Sequence, residues 1–223
     1  MEGLRCVNTD KKRDSDIAYA RIKDMIIRGH VAHGDVLSVM YFSEILELGR
    51  TPVTVACQKL EADGFLQIIP KQGVLINPVS LEDARELYEA RLAIETFMAD
   101  HAFSRMTELD LAVLEGYIQR QQEACNAMDP YRFMEEDTAF HRYILSKYPN
   151  QTLINMHHTL TDRIFFIGIK NSSHESRMQQ SIAEHTKMVD AIRENDKEKF
   201  LQAITVNQTS GLVFVTSYLG INI

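Results

Sequence analysis

The sequence predicts a mainly α protein in two parts: a small three-helix head closed by a β-hairpin, then an all-α antiparallel helical bundle. Three observations carry this reading. Helical rhythms punctuated by Gly and Pro fill residues 16–63, and two short apolar runs flank Pro70-Lys71-Gln72-Gly73. Beyond Asn77-Pro78 the apolar residues recur at spacings of three and four, without a convincing strand. The expected domains are residues 1–78 and 79–223, with the polar stretch 1–14 expected to lack fixed structure.

Each element has its own signal. Ile17, Ala20, Met25 and Ile27 give a first helix, with Ser15 as its cap and Gly29 as its stop. After the turn-like segment 30–35, in which Asp35 is read as a capping residue, Ser38 caps a short second helix. Gly49-Arg50-Thr51-Pro52 then restarts the chain, with Pro52 suited to a first turn. The third helix buries Val53, Ala56 and Leu60 and ends at Gly64. The runs at 65–69 and 74–76 form the hairpin. Three helices and a hairpin in this order are the winged helix-turn-helix pattern, in which the third helix enters the major groove of DNA.

About six helices follow. Ser80 with Asp83, and Thr107 with Asp110, are spaced as capping boxes. Asp129-Pro130 opens a helix that Tyr148-Pro149-Asn150 closes, and helices from Gln151 to about Lys170, up to Asn195, and from Asp196 to about Tyr218 complete the set.

Composition narrows the function. The net charge is −7 over 223 residues. Residues 1–78 carry ten Lys/Arg and ten Asp/Glu, so the whole excess lies in the second part. Any grip on a polyanion therefore rests on local placement of a few bases in the first part. Cys6, Cys57 and Cys125 are odd in number and widely spaced, unlike a secreted disulfide scaffold, which points to a reducing cytoplasm. No window approaches about 18 uninterrupted apolar residues, so no membrane partner is expected.

The first part resembles the GntR family of bacterial regulators. The resemblance rests on residues 29–38, on Arg50-Thr51-Pro52-Val53, on the segment Leu60 to Phe65, and on Pro70-Lys71-Gln72-Gly73. The second part resembles the ligand domain (FCD) of the family's fatty-acid-regulator-like branch. The resemblance implies DNA contacts on the third helix and the wing: Arg50, Thr51, Thr54, Gln58, Lys71 and Gly73. Thr54 stands where the family carries a DNA-contacting Arg, so the operator differs from the relatives' or other groups supply the contact. Arg50 suits a bidentate bond to guanine, while Thr51 and Lys71 suit phosphate.

The second part holds polar residues on apolar faces. Asp137 and His141 share a face with Phe133, Phe140 and Ile144; His185 lies among Met178, Ile182, Val189 and Ile192; Asn207 lies among Phe200, Ala203, Gly211 and Phe214. An unsatisfied buried polar group costs about 1–3 kcal/mol, so these groups are expected to meet one another, a ligand or a metal. Asp and His four apart, with a third ligand from another helix, are a usual donor set for a divalent ion, whereas alone they read as a helix ion pair. The resemblance implies a metal bound by one Asp and three His. Asp137, His141 and His185 occupy three of those positions, and Asn207 replaces the fourth, which weakens a zinc or nickel site.

Arg91 shares a face with Leu87, Ile94 and Met98. It is read either as a structural pair with Glu95 or, from the resemblance, as the anchor of a carboxylate effector. His101, His157, His158 and His174 are read as surface or packing residues, and the apolar tail 212–219 as core.

These readings converge on a homodimeric DNA-binding regulator, a repressor of genes whose operator it releases or holds according to a small carboxylate or sugar acid. A metal-dependent helical-bundle enzyme, and a metabolite-binding protein with degenerate DNA contact, stand beside it.

Overall fold

The computed structural model describes residues 6–78, 80–168 and 174–218. Met1–Val79 and Ser80–Ile223 form two compact units.

In the first unit, helix α1 (Cys6–Ile27) packs on α3 (Arg50–Ala62), and α2 (Val39–Leu46) packs on both. Their shared core is Ile22, Ile26, Phe42, Val53, Leu60 and Phe65. The start of α1 corrects the expected cap. Ser15 lies inside the helix and is buried, and residues 6–14, expected to be without structure, are helical; residues 1–5 lie outside the described residues. The physical reason is that residues 6–14 hold no Gly or Pro, so nothing stops the helix from growing back from its packed end. At the other end, Gly29 takes φ +71 and the His30 amide returns to the Met25 carbonyl, closing the helix as expected.

Ser38 caps α2 by accepting the Tyr41 amide. Asp35 accepts the Ala32 amide and tightens the turn before it. The hairpin strands β2 (Leu66–Ile69) and β3 (Gly73–Ile76) pair antiparallel as expected. A third strand, β1 (Val36–Leu37), joins β3 and makes the sheet order β1-β3-β2. Two residues carry no periodicity, so the sequence does not announce this strand.

The second unit is built from α4 (Leu81–Ala102), α5 (Glu108–Asn126), α6 (Pro130–Ser146), α7 (Gln151–Gly168), α8 (Glu175–Arg193) and α9 (Lys197–Tyr218), with a 3₁₀ turn at Phe103–Arg105. The expected helix end at Lys170 and the tail residue Leu219 lie outside the described residues. Both capping boxes form, and Asp129 and Asp196 accept the amides of Arg132 and Lys199 at the starts of α6 and α9. Helix α9 packs on α4 and α8, and α5 on α6 and α8, while α4 also meets α6 and α7. Met98, Leu114, Phe140, Ile144, Met188, Phe200 and Ile204 form the principal core, and Phe133, Met178 and Ile182 a second one. Among the described residues, no helix is long and apolar enough to cross a membrane.

One cap ties two helices together. The Asp110 carboxylate accepts the Thr107 amide at 2.8 Å and the Tyr143 hydroxyl at 2.5 Å, and pairs with the Lys147 ammonium. Burial alone would raise this carboxyl, but the bonds from Lys147, Tyr143 and Thr107 outweigh it and hold it far below the usual carboxylate range. A carboxyl depressed on folding stabilises the native state above its unfolded value, near pH 4, and loses that contribution as pH falls further. Asp110→Asn is expected to cost about 1–3 kcal/mol at pH 7 and clearly less at pH 3. Urea unfolding at the two pH values checks this, and an equal cost at both contradicts the assignment.

Candidate functional site

In the first unit, the outward surface of α3 carries most of the expected DNA-contacting residues. Gly49 caps the helix, so Arg50 and Thr51 stand exposed in its first turn, and Gln58 is exposed two turns later. The Arg50 guanidinium rests 2.8 Å from the Met40 sulfur. Thr54 is half-buried and donates its hydroxyl to the Arg50 carbonyl at 2.9 Å, so its polar group is spent on its own helix. Cys57, on the inner face, has its thiol pushed up to about 11 by burial and by nearby Glu61, which leaves it unreactive at neutral pH.

Lys71 is exposed at the hairpin tip with φ +66, and Gly73 takes φ +132. A Cβ on Gly73 would lie 2.4 Å from the Leu37 carbonyl oxygen, so β1 reaches β3 only over a glycine. That conformational demand accounts for the residue without any contact to DNA.

In the second unit, each of the six α-helices sends polar side chains into one buried cluster. Asp137 and His141 come from α6, and His185 from α8, because the three-and-four spacing places all three on inward faces. The ring nitrogens His141 Nε2 and His185 Nε2 lie 3.2 Å apart, and Asp137 Oδ1 lies 3.5 Å from His185 Nε2. Ligands bonded to one ion at about 2.0–2.2 Å stand roughly 3.0–3.5 Å from each other, so these separations fit a metal.

The outer nitrogens are also arranged. His141 Nδ1 meets Glu95 Oε2 at 3.0 Å, and His185 Nδ1 meets Gln121 Oε1 at 2.8 Å. With each Nδ1–H donated outward, both Nε2 lone pairs point into the same small volume. Burial pushes His185 down to about 3, against the pull of Asp137, so its imidazole is neutral. Burial would raise the Asp137 carboxyl, but the positive charge about it, including the guanidiniums of Arg91 and Arg177, outweighs this and holds it below the usual carboxylate range. An anion and two lone pairs turned toward each other are the kind of donor set that a divalent cation takes.

Asn207, read both as the replaced fourth metal position and as an effector contact, stands beside this donor set. Its Nδ2 donates to Glu184 Oε2 at 2.8 Å and lies 3.5 Å from His185 Nε2, while its Oδ1 accepts from Gln208. The Glu184 carboxylate accepts hydrogen bonds only, which fixes the amide with nitrogen toward it and leaves three protein donors for an ion.

Glu95 is the hub that sequence reasoning cast only as a partner for Arg91. It takes Arg91 Nε at 2.6 Å, His157 Nε2 and Gln208 Nε2 at 2.8 Å each, and His141. Burial would raise it, yet Arg91 and His141 hold it well below the usual range. His157, expected at the surface or in packing, is buried in this network, and burial lowers it despite Glu95. The pair of Arg91 and Glu95 is thus structural, but it does not exhaust the guanidinium. Arg91 Nη2 and Gln208 Oε1 are buried without a protein partner. Both residues line a cavity of about 50 Å³ together with Tyr88, Asp137, Arg177 and Asn207. That volume suits a small group, and a sugar acid needs the lining to move.

Comparison with known proteins adds the family context. Residues 86–206 match the model of the FCD domain, and residues 15–76 match the model described as bacterial regulatory proteins, gntR family. The HTH-type transcriptional regulator YdhC of Bacillus subtilis is 23% identical over 83% of this chain and 84% of its own length. The HTH-type transcriptional repressor RspR of Escherichia coli is 27% identical over 84% of this chain and 82% of its own. Among solved structures, E. coli McbR/YncC is similar in fold, with a TM-score of 0.81 at 18% identity, covering 93% of this chain and 99% of that one.

Proposed function

This chain belongs to the gntR family of bacterial regulatory proteins, as a transcriptional regulator with an FCD domain, and from that premise we propose how it is controlled. It is a regulator and not an enzyme, so the reading as a metal-dependent hydrolase or lyase is dropped. In our reading it is a cytoplasmic homodimer that acts as a repressor, and the name of its relative RspR favours the last of these. The unit Met1–Val79 grips operator DNA through Arg50, Thr51 and Gln58 on α3 and Lys71 on the wing, while Thr54 and Gly73 serve the helix and the hairpin themselves. A small carboxylate held in the unit Ser80–Ile223 alters that grip.

The observation that carries this reading is Arg91, whose Nη2 is buried without a protein partner and which lines a cavity of mixed polar and apolar walls. Gln208 Oε1 offers an acceptor in the same cavity. Asp137, His141 and His185 would hold a zinc or nickel ion, whose open positions would take a carboxylate oxygen.

Two measurements test it. Protein purified without a histidine tag or chelator is expected to carry one divalent ion per chain by elemental analysis, and His185→Ala to carry none; metal-free wild type in repeated preparations removes the metal from the account. Thermal unfolding across a panel of monocarboxylates, dicarboxylates and sugar acids is expected to show a raised midpoint for one class. A flat panel, with and without zinc, contradicts the effector.

A further inference from the structure

We infer that the centre of α3 reads A·T pairs, through an apolar contact from Val55 to a thymine methyl and through the Gln58 amide on adenine. The inference rests on the reading that the first unit binds operator DNA.

The residues Thr51, Val55 and Gln58 follow one another at spacings of four and three, and all are exposed. The opposite face, with Val53, Ala56, Cys57 and Leu60, is buried. Val55 is 37% exposed although it is apolar and sits on a helix with a well-filled inner face. The charged residues further along α3 are held by the protein itself. The Lys59 ammonium bonds Asp16 at 2.6 Å, and Glu61 accepts the Ile68 amide of the wing at 2.7 Å.

Thr54 has turned its hydroxyl onto the Arg50 carbonyl. What α3 offers in its middle is therefore a branched hydrocarbon and a carboxamide, with no guanidinium to take a guanine edge bidentately. In the major groove, a thymine methyl is the partner of an apolar side chain, and adenine N6 and N7 are the partners of an amide. Arg50 at the entrance remains available for phosphate or for a flanking guanine.

The test begins with selection of binding sites for the full chain from random duplex DNA, followed by probes in which uracil replaces thymine at each conserved position. Uracil lacks only the methyl group. Loss of one buried methyl contact is expected to weaken wild-type binding about three- to five-fold at one position per half-site. The same replacement should leave Val55→Ala unchanged, while Gln58→Ala should relax the preference for adenine beside it. Both residues are exposed, and unfolding midpoints equal to wild type confirm that the variants fold. Selected sites with guanine at the positions facing α3, or a uracil probe that binds as well as thymine, overturn the inference while leaving DNA binding intact. Failure to select any site at low salt removes the DNA-binding reading itself, and this inference with it.

Discussion

Replacing Glu95 with alanine is expected to destabilise the helical unit by about 3–5 kcal/mol, the cost of stranding one member of a buried ion pair. Arg91 and Glu95 have side chains only 5% and 1% exposed, so water cannot take over when one is removed. The loss reaches further than one pair, because His141, His157 and Gln208 also aim hydrogen-bonding groups at the same carboxylate. At about 2–4 °C per kcal/mol for a domain of this size, the midpoint should fall by roughly 10 °C. The measurement is thermal unfolding in chelator, so that loss of an ion does not add to the effect. The double variant Arg91→Leu with Glu95→Leu should recover part of the loss, since it leaves no bare charge. A cost below about 1 kcal/mol for Glu95→Ala contradicts the network as described.

The second large effect falls on the wing. Gly73→Ala places a methyl group 2.4 Å from the Leu37 carbonyl oxygen and forces φ +132 on a residue with a Cβ. The obstacle is backbone, so no side-chain rotation relieves it. Either β1 leaves β3 or the hairpin distorts, at a cost of roughly 2–4 kcal/mol to the first unit. Gly34→Ala is the control: its φ is +85, but nothing lies within 4 Å of the added carbon. It should cost about 1 kcal/mol through strain alone. Hydrogen exchange at Ile76, whose amide donates to the Asp35 carbonyl beside β1, separates the cases, with faster exchange expected only for Gly73→Ala. Equal stability of the two variants contradicts the fit of β1 against β3.

Much of this molecule is legible in its sequence, for physical reasons that also mark where legibility stops. Helix limits set by Ser38, Gly64, Ser80, Thr107, Asp129 and Asp196 depend on local hydrogen bonds, which neighbouring residues announce. Asp137, His141 and His185 stand out because each interrupts an apolar face at helical spacing. His157 gives no such signal, since Asn155, His158 and Thr159 around it make a polar setting in sequence while α7 turns it inward. Gln121 lies among Gln119 and Gln122, and only the packing of α5 on α8 singles it out as the partner of His185. Glu95 was visible one turn from Arg91, but the meeting of three more helices on it is tertiary information. Ser15 shows the opposite error, a residue of capping type that a helix runs straight through.

The account turns on communication between an acid in the Arg91 cavity and DNA on the other unit. Its most direct test is the affinity of the full chain for a selected operator, measured with and without the acid that raises the unfolding midpoint. A coupling of roughly five-fold or more is expected, and by reciprocity operator DNA should change the acid's affinity by the same factor. Acid binding that leaves operator affinity unchanged, at saturation and with zinc present, would show the cavity and the DNA grip to be independent and would contradict the account.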